Sequence, residues 1–129
     1  MAYTTIVSEH AKPVSNYKMA TRRESGRLVY ISGQVAWGAN GNIIGKNDIR
    51  AQAQQVFQNL RQVLQDAGGD LQDLLKVTTY VTEIDNYPAV IDVRNDIFQG
   101  ELPASTLIVI AGLFHEDFLL EIEAVAAIG

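Results

Sequence analysis

The ten residues Leu119-Leu120-Glu121-Ile122-Glu123-Ala124-Val125-Ala126-Ala127-Ile128 decide how this chain is read. Side chains alternate across a strand, so Leu120, Ile122, Ala124, Ala126 and Ile128 point one way and Glu121, Glu123, Val125 and Ala127 the other. The first face is apolar throughout and belongs on a core. The second mixes two carboxylates with apolar groups: too apolar to be left to water, too polar for a monomer interior. A second copy of the same chain is its most economical cover, so the sequence predicts an oligomer.

Outward from that strand, Val77 to Thr82 repeats the pattern, with Thr78 and Tyr80 opposing Val77, Thr79 and Val81. Thr106 to Ile110 reads as a further strand. Lys18 to Arg23 and Leu28 to Ser32 flank the turn residues Glu24-Ser25-Gly26-Arg27 and read as a hairpin. Two segments carry a helical period instead. Ile49, Ala53, Val56, Phe57, Leu60, Val63, Leu64 and Ala67 recur at three and four, with Asn47 or Asp48 placed as N-cap and Gly68 at the C′ position. A second helix runs from about Asn86 to Phe98, with Pro88 near its start, an apolar stripe of Tyr87, Val90, Ile91, Ile97 and Phe98, and Gly100 to close it. A helix between strands implies a parallel crossover. The expected fold is therefore α+β, a mixed β-sheet with two helices packed on one face, forming one domain over residues 1–129.

Composition bounds the function. The chain has 129 residues, a length able to build one core without staples, and no cysteine, which removes disulfides, thiolate metal sites and a cysteine nucleophile. Its first twenty residues lack a basic and apolar leader, and no apolar run approaches the roughly 20 residues of a membrane span, so no membrane association and a cytoplasmic location are expected. Fifteen acidic against ten basic side chains give a net charge of −5, which repels a phosphate backbone; no nucleic-acid partner is expected.

No metal site and no cofactor are expected either. His10 and His115 stand alone, each without a ligand at i+2 or i+4, and both are read as surface residues. There is no G-x-S-x-G elbow, and Gly38-Ala39-Asn40-Gly41 lacks a following lysine and helix, so it reads as a turn. Glu121 and Glu123, two apart on a strand, sit roughly 6–7 Å from each other on one face. In a cleft, one of them could act as acid or base near neutral pH; the alternative is a pair of interface charges bonded to a neighbour's Arg or Lys. Arg94 falls at the spacing of the buried stripe, three from Ile91 and three from Ile97, where an unpaired guanidinium is costly, so an acidic partner is expected for it. Trp37 and Tyr17 are isolated aromatics placed in core or rim packing.

Ser32-Gly33-Gln34 after the strand Leu28-Val29-Tyr30-Ile31, the helix AQAQQVFQNLRQVLQDAGGDLQDLLKVTTYVTEIDNY, the second helix ending in IFQG, Pro103-Ala104, and LLEIEAVA at 119–126 together resemble the RidA/YjgF family of enamine/imine deaminases. The resemblance spans more than a hundred residues in order. It implies a chorismate-mutase-like homotrimer with a central barrel and three small-molecule clefts between subunits. In the best-known branch an arginine after Pro-Ala grips the substrate carboxylate, and a glutamate on the last strand activates the water that hydrolyses the imine. By position, Tyr17 matches the cleft tyrosine, Ser32 and Gly33 the Ser-Gly pair, and Glu121 the catalytic glutamate, while Ser105 and Thr106 occupy the Pro-Ala-Arg-Ser positions. Ser105 thus replaces the arginine, and Ile91 stands where an asparagine is often found. The resemblance implies hydrolysis of an imine, enamine or related metabolite other than 2-aminoacrylate, with Ser105→Arg expected to restore activity on that substrate; the alternative is a trimeric metabolite-binding protein without turnover.

Overall fold

A computed structural model describes residues 3–99 and 102–129. Six strands and two helices follow in the order β1 (Thr4–Ile6), β2 (Ala20–Arg22), β3 (Arg27–Gln34), α1 (Ile49–Asp66), β4 (Leu74–Val81), α2 (Tyr87–Phe98), β5 (Ala104–Val109) and β6 (Leu120–Ile128). The main sheet has the order β3-β6-β4-β5. β6 runs antiparallel to both its neighbours, and β4 and β5 pair in parallel across the α2 crossover. The sheet is therefore mixed, as the alternation of helices and strands requires.

The alternation in β6 places its side chains as read from the sequence. Leu120, Ile122, Ala124 and Ala126 are buried with Val77 and Val81 of β4 and with Val56, Phe57, Leu60 and Leu64 of α1. Val90, Val93 and Phe98 close this core from α2, and the Phe57 and Phe98 rings meet edge to face at 5.8 Å. Asp48 is the N-cap of α1, its carboxylate accepting the Ala51 N–H at 3.1 Å, and Gly68 follows the C-cap at φ +90°, a conformation that favours glycine. On α2 the inward stripe contains Val93 and Arg94 rather than Ile91. Gln99 in the left-handed conformation ends the helix, and Gly100, expected to do so, lies outside the described residues.

The first hairpin is not formed. β2 is only three residues long and pairs with β1, Thr4 opposite Arg22, whereas β3 takes β6 as its partner, Arg27 opposite Ile128. The nine alternating residues of β6 offer a longer and more apolar edge than Thr21-Arg22-Arg23. That segment is fastened by side chains instead: Thr21 donates to the Leu75 carbonyl at 2.6 Å and Arg23 to the Ala127 carbonyl at 2.6 Å.

The sheet's other face is open in the single chain. Leu28 and Tyr30 of β3 are 59% and 76% exposed there, beside Val125, Glu123 and Glu121 of β6, Thr78 and Tyr80 of β4, and Thr106 and Ile108 of β5. Among the described residues no helix is long and apolar enough to cross a membrane.

Candidate functional site

Glu121 lies on the open face, and its position depends on β3. The β3–β6 register shifts between Ile31 and Gln34, a bulge that contains Ser32 and Gly33. The Glu121 carboxylate folds across Gly33: a Cβ added there would stand 1.8 Å from Oε2 and 2.6 Å from Cδ. Only glycine leaves that space. Ser32 is exposed beside it. An open depression of about 450 Å³ is lined by Glu121, Glu123, Tyr80, Ile110, Gly112 and Leu113.

The two carboxylates differ in their surroundings. Glu123 accepts a hydrogen bond from the Tyr80 hydroxyl. That bond, then burial, then the charges of Glu123 and Glu121 push the Tyr80 hydroxyl above the usual tyrosine range, so Tyr80 stays a donor at neutral pH. Glu121 carries no hydrogen bond among the described residues, which leaves its carboxylate available to a ligand or water.

The remaining expected residues gather elsewhere. Lys18 bridges to Ala104, its N–H donating to the Pro103 carbonyl at 3.2 Å, which seats Tyr17 at the start of β5. Asn16 donates to the Asn95 side chain at 3.1 Å and ties the same segment to α2. Thr106 faces the open side of the sheet and accepts from Lys76 Nζ at 2.6 Å. Ser105 points the opposite way, in register with buried Val77, and meets Arg94.

Arg94 departs from expectation. Its side chain is buried at 3% exposure, yet no carboxylate pairs with it among the described residues. Nη1 donates to the Tyr87 hydroxyl at 3.4 Å and to Ser105 Oγ at 3.5 Å, both long, and Nε has no partner. The nearby acid Asp92 is exposed and pairs with Arg50 at 2.8 Å instead. The helical period that buries Arg94 turns Asp92 outward. A guanidinium from α2 thus stands 3.5 Å from Ser105 Oγ, a cation beside β5 that comes from the helix and not from the strand.

Other residues escaped the sequence reading. Gln52 is fully buried and donates to the Gly45 and Asp117 carbonyls at 3.1 and 2.7 Å while accepting the Leu119 N–H at 2.9 Å, pinning the loop that leads into β6. Trp37 is not isolated: its ring stands 6.0 Å from Phe114, which is 69% exposed, and 5.4 Å from buried Phe118. Gly38 to Gly41 form the expected turn, closed by Gly41 N–H to the Gly38 carbonyl at 2.9 Å. His10 and His115 are both exposed.

Within one chain the candidate residues therefore form two groups. Ser32, Gly33 and Glu121 lie on the open face at β3 and β6. Tyr17, Ser105 and Arg94 lie around β5 and α2, with Ser105 on the opposite face of the sheet from Glu121 and two strands away, about 10 Å across the sheet.

A sequence profile described as endoribonuclease L-PSP matches residues 8–128. A RutC family protein of Pyrococcus abyssi is 31% identical over 127 residues, 98% of each chain. A 2-iminobutanoate/2-iminopropanoate deaminase of Dermatophagoides farinae is 31% identical over 117 residues, covering 91% of this chain and 89% of that protein. Among solved structures, the Rid-family protein YyfB of Yersinia pestis, itself described as of unknown function, superposes with a TM-score of 0.89 at 34% identity, over 99% of this chain and 100% of the other. The α+β architecture, two helices on a mixed sheet, is shared with that solved structure.

Proposed function

Because the chain belongs to the endoribonuclease L-PSP (RidA/YjgF) family, we propose that it hydrolyses the C=N bond of a small imine or enamine in clefts formed between the subunits of a homotrimer. The observation that carries this reading is the Glu121 carboxylate lying over Gly33, without a hydrogen bond and lining an open depression. There Glu121 is the base. It takes a proton from water as the oxygen bonds to the imine carbon and the π electrons move to nitrogen. That proton is returned to nitrogen to give a carbinolamine; Glu121 then carries the hydroxyl proton of the carbinolamine to the nitrogen, the C–N bond breaks, and ammonia leaves as the carbonyl forms. An enamine enters the same route after protonation at its β-carbon.

A homotrimer with a central barrel is supported by the division of the candidate residues. In one chain, Ser105 and Glu121 are separated by the sheet, and the exposed Leu28, Tyr30 and Ile108 need a cover. A neighbouring copy that covers this face would bring its own Tyr17, Ser105 and Thr106 toward Glu121, Ser32 and Gly33. The substrate is other than 2-aminoacrylate, since its charge partner at β5 is no longer a strand arginine. The chain acts as one domain over 1–129 in the cytoplasm, and its charge of −5 argues against nucleic acid as substrate.

The test measures ammonia and keto-acid release from enzymatically generated imines, alongside light scattering. Turnover that Glu121→Gln lowers by about 10²–10⁴, in a particle of three chain masses, is the expected result. Ligand binding without turnover would replace the deaminase reading by that of a trimeric metabolite-binding protein.

A further inference from the structure

Residues 7–19 leave β1 and return to β2 as a wide arch. Loops of this size are normally packed by their own side chains. This one is not: a cavity of about 400 Å³ lies within it, walled by Ile6, Val7, Ala11, Pro13 and Met19. The arch is held open at both ends. At its start Ser8 Oγ accepts the N–H groups of His10 and Ala11 at 3.1 and 3.3 Å; at its return Asn16 donates to Asn95 at 3.1 Å and the Lys18 N–H to the Pro103 carbonyl at 3.2 Å. The returning limb is thus bound to α2 and to the start of β5, and does not close over the space. Val7 is left 86% exposed, with Ile6 and Met19 at 36% and 37%. An apolar hollow open to water in this way is suited to receive an apolar group, and its volume is at the lower end of small-molecule pockets.

The charge of the lining selects the ligand further. Its charged residues are Lys12 and Lys18, no acid lines the cavity, and neither lysine has a carboxylate partner among the described residues. A lysine lays its alkyl stem along apolar surface and keeps its ammonium at the rim. On a chain of net charge −5 this is a local concentration of positive charge around an apolar interior. We propose that the arch binds an amphiphilic anion, an unbranched alkyl chain with an acidic head group. The chain lies inside against Ile6, Val7 and Met19, and the head is met at the rim by Lys12 and Lys18. The occupant is a free amphiphile and not a bilayer, because both limbs of the arch wall the cavity and leave room for one chain. The site shares no lining residue with the depression beside Glu121, so it stands apart from the proposed reaction.

The probes are octanoate, butanoate, octan-1-ol and octylammonium, titrated calorimetrically into the full-length protein. A buried methylene is worth about fourfold in affinity, so octanoate, four methylenes longer, should bind at least about tenfold more tightly than butanoate. It should exceed octan-1-ol by about three- to tenfold, the contribution of two lysines at an exposed rim, and octylammonium should bind least. The chain contains two methionines, so the Met19 methyl resonance is assigned by its loss in Met19→Leu; it should shift with octanoate. Lys12→Glu with Lys18→Glu should remove the preference for octanoate over octan-1-ol, and Ala11→Trp, which fills the hollow, should abolish binding of both. Should the double variant fail to fold, Lys12→Glu alone, at an exposed residue, must still weaken octanoate by about threefold and leave octan-1-ol unchanged. Equal affinity for octanoate and butanoate, or for octanoate and octylammonium, would overturn the site. An unmoved Met19 methyl, or octanoate binding indifferent to the lysine changes, would do the same. Protein that ignores octanoate but sediments with phosphatidylglycerol vesicles would replace it with a lipid surface contact.

Discussion

Gly33→Ala tests the Glu121 site by sterics alone. Gly33 is outside the positive-φ region, so alanine meets no backbone penalty there. The added methyl would stand 1.8 Å from Glu121 Oε2, 2.6 Å from Cδ and 2.8 Å from Cγ. Ordinary contact lies near 3.4 Å, so the carboxylate has to retreat by about 1.6 Å. The colliding atoms are the end of a flexible side chain facing an open depression, and a rotamer change resolves the clash at a cost of about 1 kcal/mol. The stability of the fold should therefore hardly change. Activity is more demanding, because misplacing a reacting group by about 1 Å costs on the order of a hundredfold. Keto-acid release by Gly33→Ala is thus expected to fall about a hundredfold, with the denaturant midpoint close to wild type. Since both changes act on one group, Gly33→Ala should cost little more in a Glu121→Gln background. Full turnover in Gly33→Ala would show that the position of this carboxylate over β3 is irrelevant, and the assignment of Glu121 would fail with it.

Tyr80 should titrate above the ordinary tyrosine range by its tyrosinate absorbance. Its raised folded-state pKa contributes stability that is fully present below the unfolded value near 10 and is lost as pH rises through the folded value; Glu123→Gln should bring the titration back down, and an unchanged curve would refute the hydrogen bond as cause. Gln52→Ala strands the Gly45 and Asp117 carbonyls and the Leu119 N–H, each worth about 1–3 kcal/mol when left unpaired, so the denaturant midpoint should fall by an amount equivalent to at least about 3 kcal/mol; a loss under about 1 kcal/mol would mean that water replaces the amide. Ser105→Arg, expected from the sequence to restore activity, should now do the reverse. It sets a second guanidinium against Arg94, about 4 kcal/mol of repulsion for unit charges at 4 Å in a medium of effective dielectric 20, and the variant should be less stable with no gain in turnover on 2-aminoacrylate; a clear gain at unchanged stability would show that the two guanidinium groups do not meet.

The two helices and the strands of the main sheet were legible because their signals are local. The three-and-four spacing from Ile49 to Leu64 and the strict alternation of β6 each occur within one short continuous stretch of chain, and burial follows from them directly. Pairing is not local. β3 and β2 adjoin in sequence and share a turn, yet β3 lies against β6, Arg27 opposite Ile128 far along the chain, because the longer and more apolar strand makes the better edge. Gln52 reads as one more polar helix residue, and nothing near it in sequence announces that its amide is consumed by Gly45, Asp117 and Leu119.

The same limit governs the site. Glu121 was legible as a carboxylate on a mixed face, but its freedom from hydrogen bonds and its rest over Gly33 depend on a bulge in another strand. Ser105 read alone marks a lost cation, and Arg94 read alone marks a buried charge that needs an acid. Placed 3.5 Å apart, the two revise each other: a cation does stand beside Ser105, it comes from helix α2 and not from strand β5, and the hydroxyls it meets are those of Ser105 and Tyr87 instead of an acid.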